Sequence, residues 1–474
     1  MNVETGTIEP GEARCPADSA QDIIARDKVA APGWVRSESY AFLGDEDVDS
    51  RRYTDPDYAR EEFRRLWTRT WQFACREEHI PNIGDYYVYD IGPYSFIVTR
   101  VEENEIRAYF NACLHRGTKL RPSGTEGSTS DFQCPFHGWT WNLDGTSKSI
   151  TCPWDFPHVD PDKLTLPEAR VELLGGFVWI NMDPAAPSLA DYLGEEALAH
   201  IKAWKLEDRY THLHVQKSFP ANWKLTVEAF QEAYHVIITH PQVAPSNADA
   251  NTQYDIYGEH VNRFISPLGV CSPHLAGQYS EQDILDQFTV GDGTMLSSDR
   301  PTVGDNTARQ AMADMFRGVF EQTTNSDLSA VSDSEILDCF SYTIFPNTYL
   351  FPGISLPMVY RFRPDPKDYR RCIFEVMFMR PVPRDGPRPE PAEVQILSDE
   401  QSFSDAEGMD PGFGHILDQD TDNLHAQQEG LEASAKSGIT LGNYQEIRIR
   451  HFERAVDKYM AMEPFRPNAA DTRR

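Results

Sequence analysis

Four residues on two short stretches have the types and spacing to hold metal: Cys113 and His115 in "CLHRGTKL", and Cys134 and His137 in "CPFHGWTWNLDGT". Two thiolates and two imidazoles fit either a tetrahedral zinc or a [2Fe-2S] cluster whose second iron carries two histidines. Zinc fingers usually put cysteine with cysteine and histidine with histidine, whereas each stretch here carries one of each. Two irons, one bound by both cysteines and the other by both histidines, are served by two such mixed loops. The neighbours suit a cluster. Gly117 and Gly138 let backbone N–H groups approach the sulfides and Trp139 shields the site from water, both of which act on a redox potential.

A second group lies in "EAFQEAYHVIITHP". Glu232 and His235, three residues apart, share a helix face, while His240 comes five residues after His235, where Pro241 ends the helix. An i, i+5 pair does not point one way on an ideal helix, so the two imidazoles converge only if His240 sits on a terminal or distorted turn. Two histidines and a remote carboxylate make the facial triad of non-haem Fe(II) oxygenases, which leaves positions open for O₂ and substrate. The spacing is not the His-Glu-x-x-His of zinc proteases, and metal-assisted hydrolysis is the weaker reading. Phe230, Val236, Ile237 and Ile238 are the candidates for an apolar substrate pocket, set against ordinary core packing at each position.

The elements that must position these residues follow from pattern. Residues 1–45 are polar, acidic and rich in Gly and Pro, which predicts a flexible arm. The stretch "DPDYAREEFRRLWTRTWQFACREEHIP" predicts an entry helix that leads into a strand. From Asp85 the chain changes to short β-branched and aromatic runs such as "DYYVYD" and "GFVWINMD", a small antiparallel β domain with both Cys/His pairs at hairpin ends. "NWKLTVEAFQEAYHVIITHP" has helical spacing, "FSYTIFPNTYLFP" and "RCIFEVMFMRPVP" read as strands, and "GHILDQDTDNLHAQQEGLEASAKSG" reads as a late helix. The expected class is α+β, with an arm at 1–45, a cluster domain with its entry helix at 46–185, a mixed catalytic domain at 186–460 and a loose tail at 461–474. The segment between Asp292 and Asp338 is expected as a surface excursion with one helix near "ARQAMADMFRGVF".

The chain has 474 residues and a formal net charge of −30, which argues against nucleic acid or an anionic membrane as partner. The N-terminus has no basic and apolar leader pattern, and no apolar run approaches the ~20 residues that span a bilayer. A cytoplasmic protein is expected. The eight cysteines are scattered, unlike a disulfide framework, and only Cys113 and Cys134 have histidine company.

"CLHRGTKL…CPFHGWTWNLDGT" resembles the Rieske motif, C-x-H-x(n)-C-x-x-H-G-W. The span from "YTDPDYAREEFRRLWTRTWQFACRE" to "GGFVWINMDP" resembles the N-terminal half of Rieske-type ring-hydroxylating oxygenase large (alpha) subunits, and "NWKLTVEAFQEAYHVIITHP" resembles that family's iron-binding segment. The resemblance implies a Rieske [2Fe-2S] domain followed by a helix-grip-like catalytic domain with mononuclear Fe(II). It implies that His235 and His240 bind the iron and that Glu232 bridges a cluster histidine of one subunit to an iron histidine of the next. Electrons then run from His137 of a neighbouring chain through Glu232 to His235, within a homotrimer. The third iron ligand is expected at Asp420, at the family's usual distance before Gln428, Gly430 and Leu431; Asp418 and Asp422 compete. Ala229 stands where several relatives carry Asn.

The implied reaction is reductive O₂ activation, with one or both oxygen atoms entering an apolar aromatic or polycyclic substrate. Relatives also demethylate or hydroxylate amines and carboxylic acids. No dinucleotide fingerprint follows a strand, so an NAD(P)H-dependent reductase, directly or through a ferredoxin, is the expected electron source. A Rieske electron-transfer or redox-sensing protein and a zinc-stabilised binding protein are the alternatives from other classes.

Overall fold

The computed structural model describes residues 8–290, 301–324 and 326–466, and the chain divides into two compact units, 1–56 with 193–455 and 57–192 with 456–474. Among the described residues no helix is long and apolar enough to cross a membrane.

The smaller unit is built on a seven-stranded antiparallel sheet. Its order is Gln72–Arg76, Phe177–Asn181, Glu168–Leu174, Glu105–Phe110, Tyr94–Glu102, Asp85–Ile91 and Glu126–Ser128. A second sheet pairs Asp131–Gln133, Thr140–Asn142 and Ser147–Ser149. Asp144 and Gly145 turn the last hairpin: Gly145 has φ +82°, and the Asp144 carboxylate accepts from the Thr146 N–H at 3.0 Å. This is the Asp-Gly turn expected after the second Cys/His pair. Ile97, Tyr109, Phe132, Trp141 and Leu166 form the core between the sheets, and Cys113 and Cys134 belong to it.

The larger unit carries an eight-stranded sheet in the order Gln253–Tyr257, Val261–Ser266, Cys339–Ile344, Thr348–Phe351, Met358–Pro364, Cys372–Pro381, Arg209–Phe219 and Val394–Leu397. Every pairing is antiparallel except the last, where Val394–Leu397 runs parallel to Arg209–Phe219. Side chains alternate faces along a strand. One face of the Met358–Pro364 and Cys372–Pro381 pair therefore carries Tyr360, Phe362 and Phe374, while the other carries Arg361, Arg363 and Glu375. Glu375 accepts from Arg361 and Arg363 at 2.6 Å each, and His214 Nε2 lies 3.2 Å from it.

Of the expected arm, residues 1–7 lie outside the described residues, and the remainder is tied down. Ser19 caps the helix Ala20–Ile24 with a full capping box, and Ala20, Ile23, Ile24 and Val35 are buried. Gln21 donates to Gln253 at 2.7 Å, and Arg309 grips both oxygens of Asp27 at 2.6 and 2.9 Å. Polar composition misleads here because the polar groups are spent on specific buried partners rather than on water. In the segment expected as a surface excursion, residues 291–300 lie outside the described residues. The helix Ala308–Thr324 instead builds a local core from Met312, Ala313 and Phe316 with Leu285 and Ile336. The end of the expected tail, from residue 467 on, is likewise outside the described residues.

Burial alone would raise the Glu375 carboxyl, but Arg361 and Arg363 outweigh it and hold the group well below the usual carboxylate range. A depressed folded value means stability that is present above the ordinary glutamate range and lost as pH falls toward the folded value. Glu375→Ala, which strips the carboxylate from the buried Arg361 and the half-buried Arg363, is expected to cost about 3–5 kcal/mol in denaturant unfolding. Glu375→Gln is expected to flatten the acid limb of a thermal-unfolding pH series.

Candidate metal centres

The two cluster loops are closed in the same way. In the first, Gly117 N–H donates to Cys113 C=O at 2.8 Å and Cys113 N–H donates to Thr118 C=O at 2.8 Å; in the second, Gly138 N–H donates to Cys134 C=O at 3.1 Å and Cys134 N–H to Trp139 C=O at 2.8 Å. Both glycines are left-handed, φ +80° and +74°, a conformation that a side chain would strain. The first loop leaves the strand Glu105–Phe110 and the second joins Asp131–Gln133 to Thr140–Asn142. The N–H groups that reach the sulfurs are not those of the glycines, which are used in closing the loops. They belong to His115 and Arg116 for Cys113, and to Phe136 and His137 for Cys134.

The cysteines are 3% and 2% exposed, whereas both histidines are half-buried. The imidazoles lie side by side, ring centroids 4.8 Å apart, and Trp139 stacks on His115 at 4.9 Å and 10° with Phe156 edge-on at 5.6 Å. Trp139 thus shields one histidine face. Burial pushes the Cys113 thiol up to about 11. At Cys134 burial is outweighed by the Phe136 and His137 N–H groups, and its value falls. Two buried sulfurs in one core, beside two adjacent imidazoles, fit a cluster with sulfur on one iron and nitrogen on the other.

The second centre differs from expectation in one local respect. "NWKLTVEAFQEAYHVIITHP" is two helices, Trp223–Ala229 and Val236–Thr239, with an irregular turn between. Asn222 caps the first by accepting from Lys224 N–H at 3.0 Å. Its end tightens as Phe230 and Gln231 bond back three residues, to Val227 at 3.3 Å and Glu228 at 2.9 Å. The backbone groups freed by the break are taken up by buried side chains: Arg448 donates to Gln231 C=O at 3.2 Å, and Ala233 N–H donates to the Tyr254 hydroxyl at 3.1 Å. Glu232 and His235 still meet, across this turn rather than on a helix face. His235 is the N-cap of the short helix and His240 its C-cap, at φ −122°.

The break lets the histidines converge. His235, His240 and Asp420 each offer one ligand atom within 4.8 Å of the others. His240 Nε2 is 2.8 Å and His235 Nε2 3.5 Å from Asp420 Oδ1. The opposite ring nitrogens are committed elsewhere: His235 Nδ1 to Glu232 Oε1 at 2.7 Å, and His240 Nδ1 to Gln419 Oε1 at 2.9 Å. With Nδ1–H donated to those oxygens, the Nε2 lone pairs face a carboxylate oxygen. Such a set of converging lone pairs repels itself unless a cation lies between them, so the donor set fits Fe(II).

Asp420 sits mid-way along the 23-residue helix Pro411–Ala433 and is 7% exposed, not at a solvated helix start. Its competitors are placed elsewhere: Asp418 accepts from Phe403 N–H at 2.6 Å and the Ser404 hydroxyl at 2.7 Å, and Asp422 is exposed. Gln428 on the same helix accepts from Asn222 N–H at 2.9 Å, tying the helix of Asp420 to the helix that leads to the histidines. Gln419 and its second donor Gln242, at 2.6 Å, were not foreseen. The signal available for Gln419 was only its place beside Asp420.

A cleft at the triad is lined by Glu228, Ala229, Glu232, His235, Thr239 and Asp420, among others. None of the four apolar pocket candidates lines it. Phe230 packs on the sheet, with Tyr360 at 5.2 Å, Phe374 at 5.4 Å and Phe362 at 5.8 Å. Val236 is buried, Ile237 half-buried, and Ile238 is 82% exposed. Consecutive helical residues step by about 100°, so a single-turn helix that buries Val236 must send Ile238 outward.

Family models match both parts of the chain: the ring hydroxylating alpha subunit (catalytic domain) over residues 195–462 and the Rieske [2Fe-2S] domain over 70–159. The chain is 31% identical over 224 residues to the carnitine monooxygenase oxygenase subunit of Escherichia coli, covering 46% of this chain and 58% of that one. To the anthranilate 1,2-dioxygenase large subunit of Acinetobacter baylyi it is 32% identical over 195 residues, 40% of this chain and 41% of the relative. To the naphthalene 1,2-dioxygenase large oxygenase component of Pseudomonas fluorescens it is 28% identical over 305 residues, 62% and 63%. The matched span is thus less than two thirds of each relative's length. Among solved structures, a quaternary ammonium Rieske monooxygenase in complex with an inhibitor superposes with TM-score 0.62 at 17% identity, over 94% of this chain and 99% of that one. Naphthalene 1,2-dioxygenase with indole bound gives 0.59 at 19% identity, over 90% and 95%. The chain belongs to the Rieske ring-hydroxylating oxygenase alpha-subunit family.

Proposed function

We propose that the chain is the terminal oxygenase of a multicomponent system, and that it hydroxylates an organic substrate with O₂ and electrons received through a Rieske cluster. The observation that carries this reading is the convergence of His235, His240 and Asp420, each histidine oriented by an acceptor on its far nitrogen. Cys113, His115, Cys134 and His137 hold the cluster. Bound Fe(II) supplies O₂ activation; the protein's own groups fix its ligands and bring in electrons and protons. The electrons come from an NAD(P)H-dependent reductase, directly or through a ferredoxin.

Glu232 already orients His235 within one chain, and its cleft position suits the bridging role that the family resemblance implies, with His137 of a neighbouring copy on its far side. That role calls for a ring of copies, most simply a homotrimer. The first reading of the substrate is an apolar aromatic or polycyclic compound, supported by the aromatic dioxygenases among the relatives. The second is an amine that loses a methyl group or gains a hydroxyl, supported by the carnitine monooxygenase relative.

Single turnover of chemically reduced, iron-loaded protein under ¹⁸O₂ with aromatic, polycyclic and amine compounds tests the reading. Two labelled atoms in one product mean dioxygenation, one atom or a lost methyl group means monooxygenation, and no product in any case defeats the oxygenase. Asp420→Ala is expected to lose mononuclear iron in metal analysis while keeping the cluster's visible absorption, and Asp418→Asn to keep both. Gln419→Leu is expected to weaken iron binding by about 10–100-fold in a chelator titration. Glu232→Gln is expected to retain both metals but to slow cluster reoxidation by O₂, and native mass should equal three chains.

A further inference from the structure

We propose that Glu228, Tyr53 and Glu453 form a proton relay to the iron side of the cleft, with Glu228 as the group that gives up the proton. The proposal deepens the oxygenase reading and rests on it.

Glu228 lies in the last turn of the helix Trp223–Ala229, and it opens on the cleft shared with Glu232, His235 and Asp420. Its other side is sealed inside the larger unit. Tyr53 is fully buried, and its hydroxyl lies 2.7 Å from Oε1 of Glu228 and 3.5 Å from Oε1 of Glu453. Glu228 and Glu453 are 5% and 2% exposed, and the one Tyr53 hydroxyl stands between their carboxyl oxygens. A single hydroxyl proton cannot satisfy two buried carboxylates at once, which favours a further proton on the pair. A phenol hydroxyl can accept from one acid while donating to the other carboxylate, so Tyr53 can pass a proton along without itself ionising.

The charged groups around the pair are few. Arg52, next to Tyr53, bonds the Glu453 carboxylate. Lys224, one turn before Glu228, lays its ammonium 5.8 Å over the Tyr53 ring. The Tyr349 hydroxyl donates to Val227 C=O, and Glu232 and Glu446 face the cleft. Burial, and then the charge of Glu453, push the Glu228 carboxyl well above the usual carboxylate range. The shift favours a protonated Glu228 beside a centre that consumes protons.

The balance holds for either outcome of the reaction. Dioxygenation adds O₂, two electrons and two protons to the substrate as two hydroxyls. Monooxygenation uses the same electrons and protons for one hydroxyl and one water. The Glu228 O–H bond breaks and the proton goes to the oxygen being reduced; the carboxylate left behind takes its next proton, and the reaction its second, from solvent at the cleft, while the Tyr53 hydroxyl turns toward whichever carboxylate lacks a proton.

Infrared spectroscopy of ¹³C-glutamate-labelled holoprotein reads the stored proton without turnover. A protonated-carboxyl C=O band is expected at neutral pH, removed by Glu228→Gln and shifted by Tyr53→Phe. In reduced single turnover, Glu228→Gln is expected to keep iron content, cluster potential and substrate affinity. Its product formation should fall by roughly 10²-fold, the scale of a lost general acid, with peroxide released instead and a larger solvent deuterium effect. Tyr53→Phe, which leaves the carboxyls in place, should slow repeated turnover more than the first. A band that survives both Glu228→Gln and Glu453→Gln, or an undiminished first turnover in Glu228→Gln, overturns the relay. Absence of product from the unsubstituted chain with the band present instead removes the oxygenase reading, and the relay's purpose with it.

Discussion

The hydrogen bonds from Arg448 to the Gln231 carbonyl and from the Ala233 N–H to Tyr254 hold open an interruption in what would otherwise be one helix. On an unbroken helix, positions five apart face directions about 140° different, and His235 and His240 could not share an ion. The break costs backbone bonds, and a buried guanidinium and a buried phenol replace them. Both come from elements remote in sequence, the strand Gln253–Tyr257 and the helix Ile447–Met460. The iron geometry is thus set by the whole larger unit rather than by its own segment.

What was legible in the sequence follows the range of the interactions. The cluster ligands could be read because each loop is closed by bonds within six residues, so that spacing alone encodes the geometry. The Asp-Gly hairpin was legible for the same reason. The triad could be read only with the help of family resemblance, because the bonds that break the helix join residues far apart in the chain. Ile238 is exposed because the segment expected as one long helix is a single turn there. The N-terminal stretch was misread because composition reports how many polar groups there are and not whether Arg309 and Gln253 wait for them.

The polar interior of the larger unit is unusual in how it handles charge. Glu375 is enclosed by Arg361, Arg363 and His214 and stays ionised, whereas Glu228 lies beside another carboxyl and a phenol and is driven toward neutrality. The same side-chain type is thus given opposite protonation by its neighbours. One serves the sheet, and the other lies where a transferable proton has a use.

The two cluster loops have a further consequence. Each is shaped by its own backbone and by a left-handed glycine, so the side chains that are not ligands are not needed for the shape. These are Leu114 and Arg116 in one loop and Pro135 and Phe136 in the other; Arg116 and Phe136 are exposed, with the guanidinium 4.7 Å over the ring. The loops act as two sockets of one pattern with replaceable faceplates. Substitution can rework the exposed face of the loops while the backbone that shapes them stays as it is.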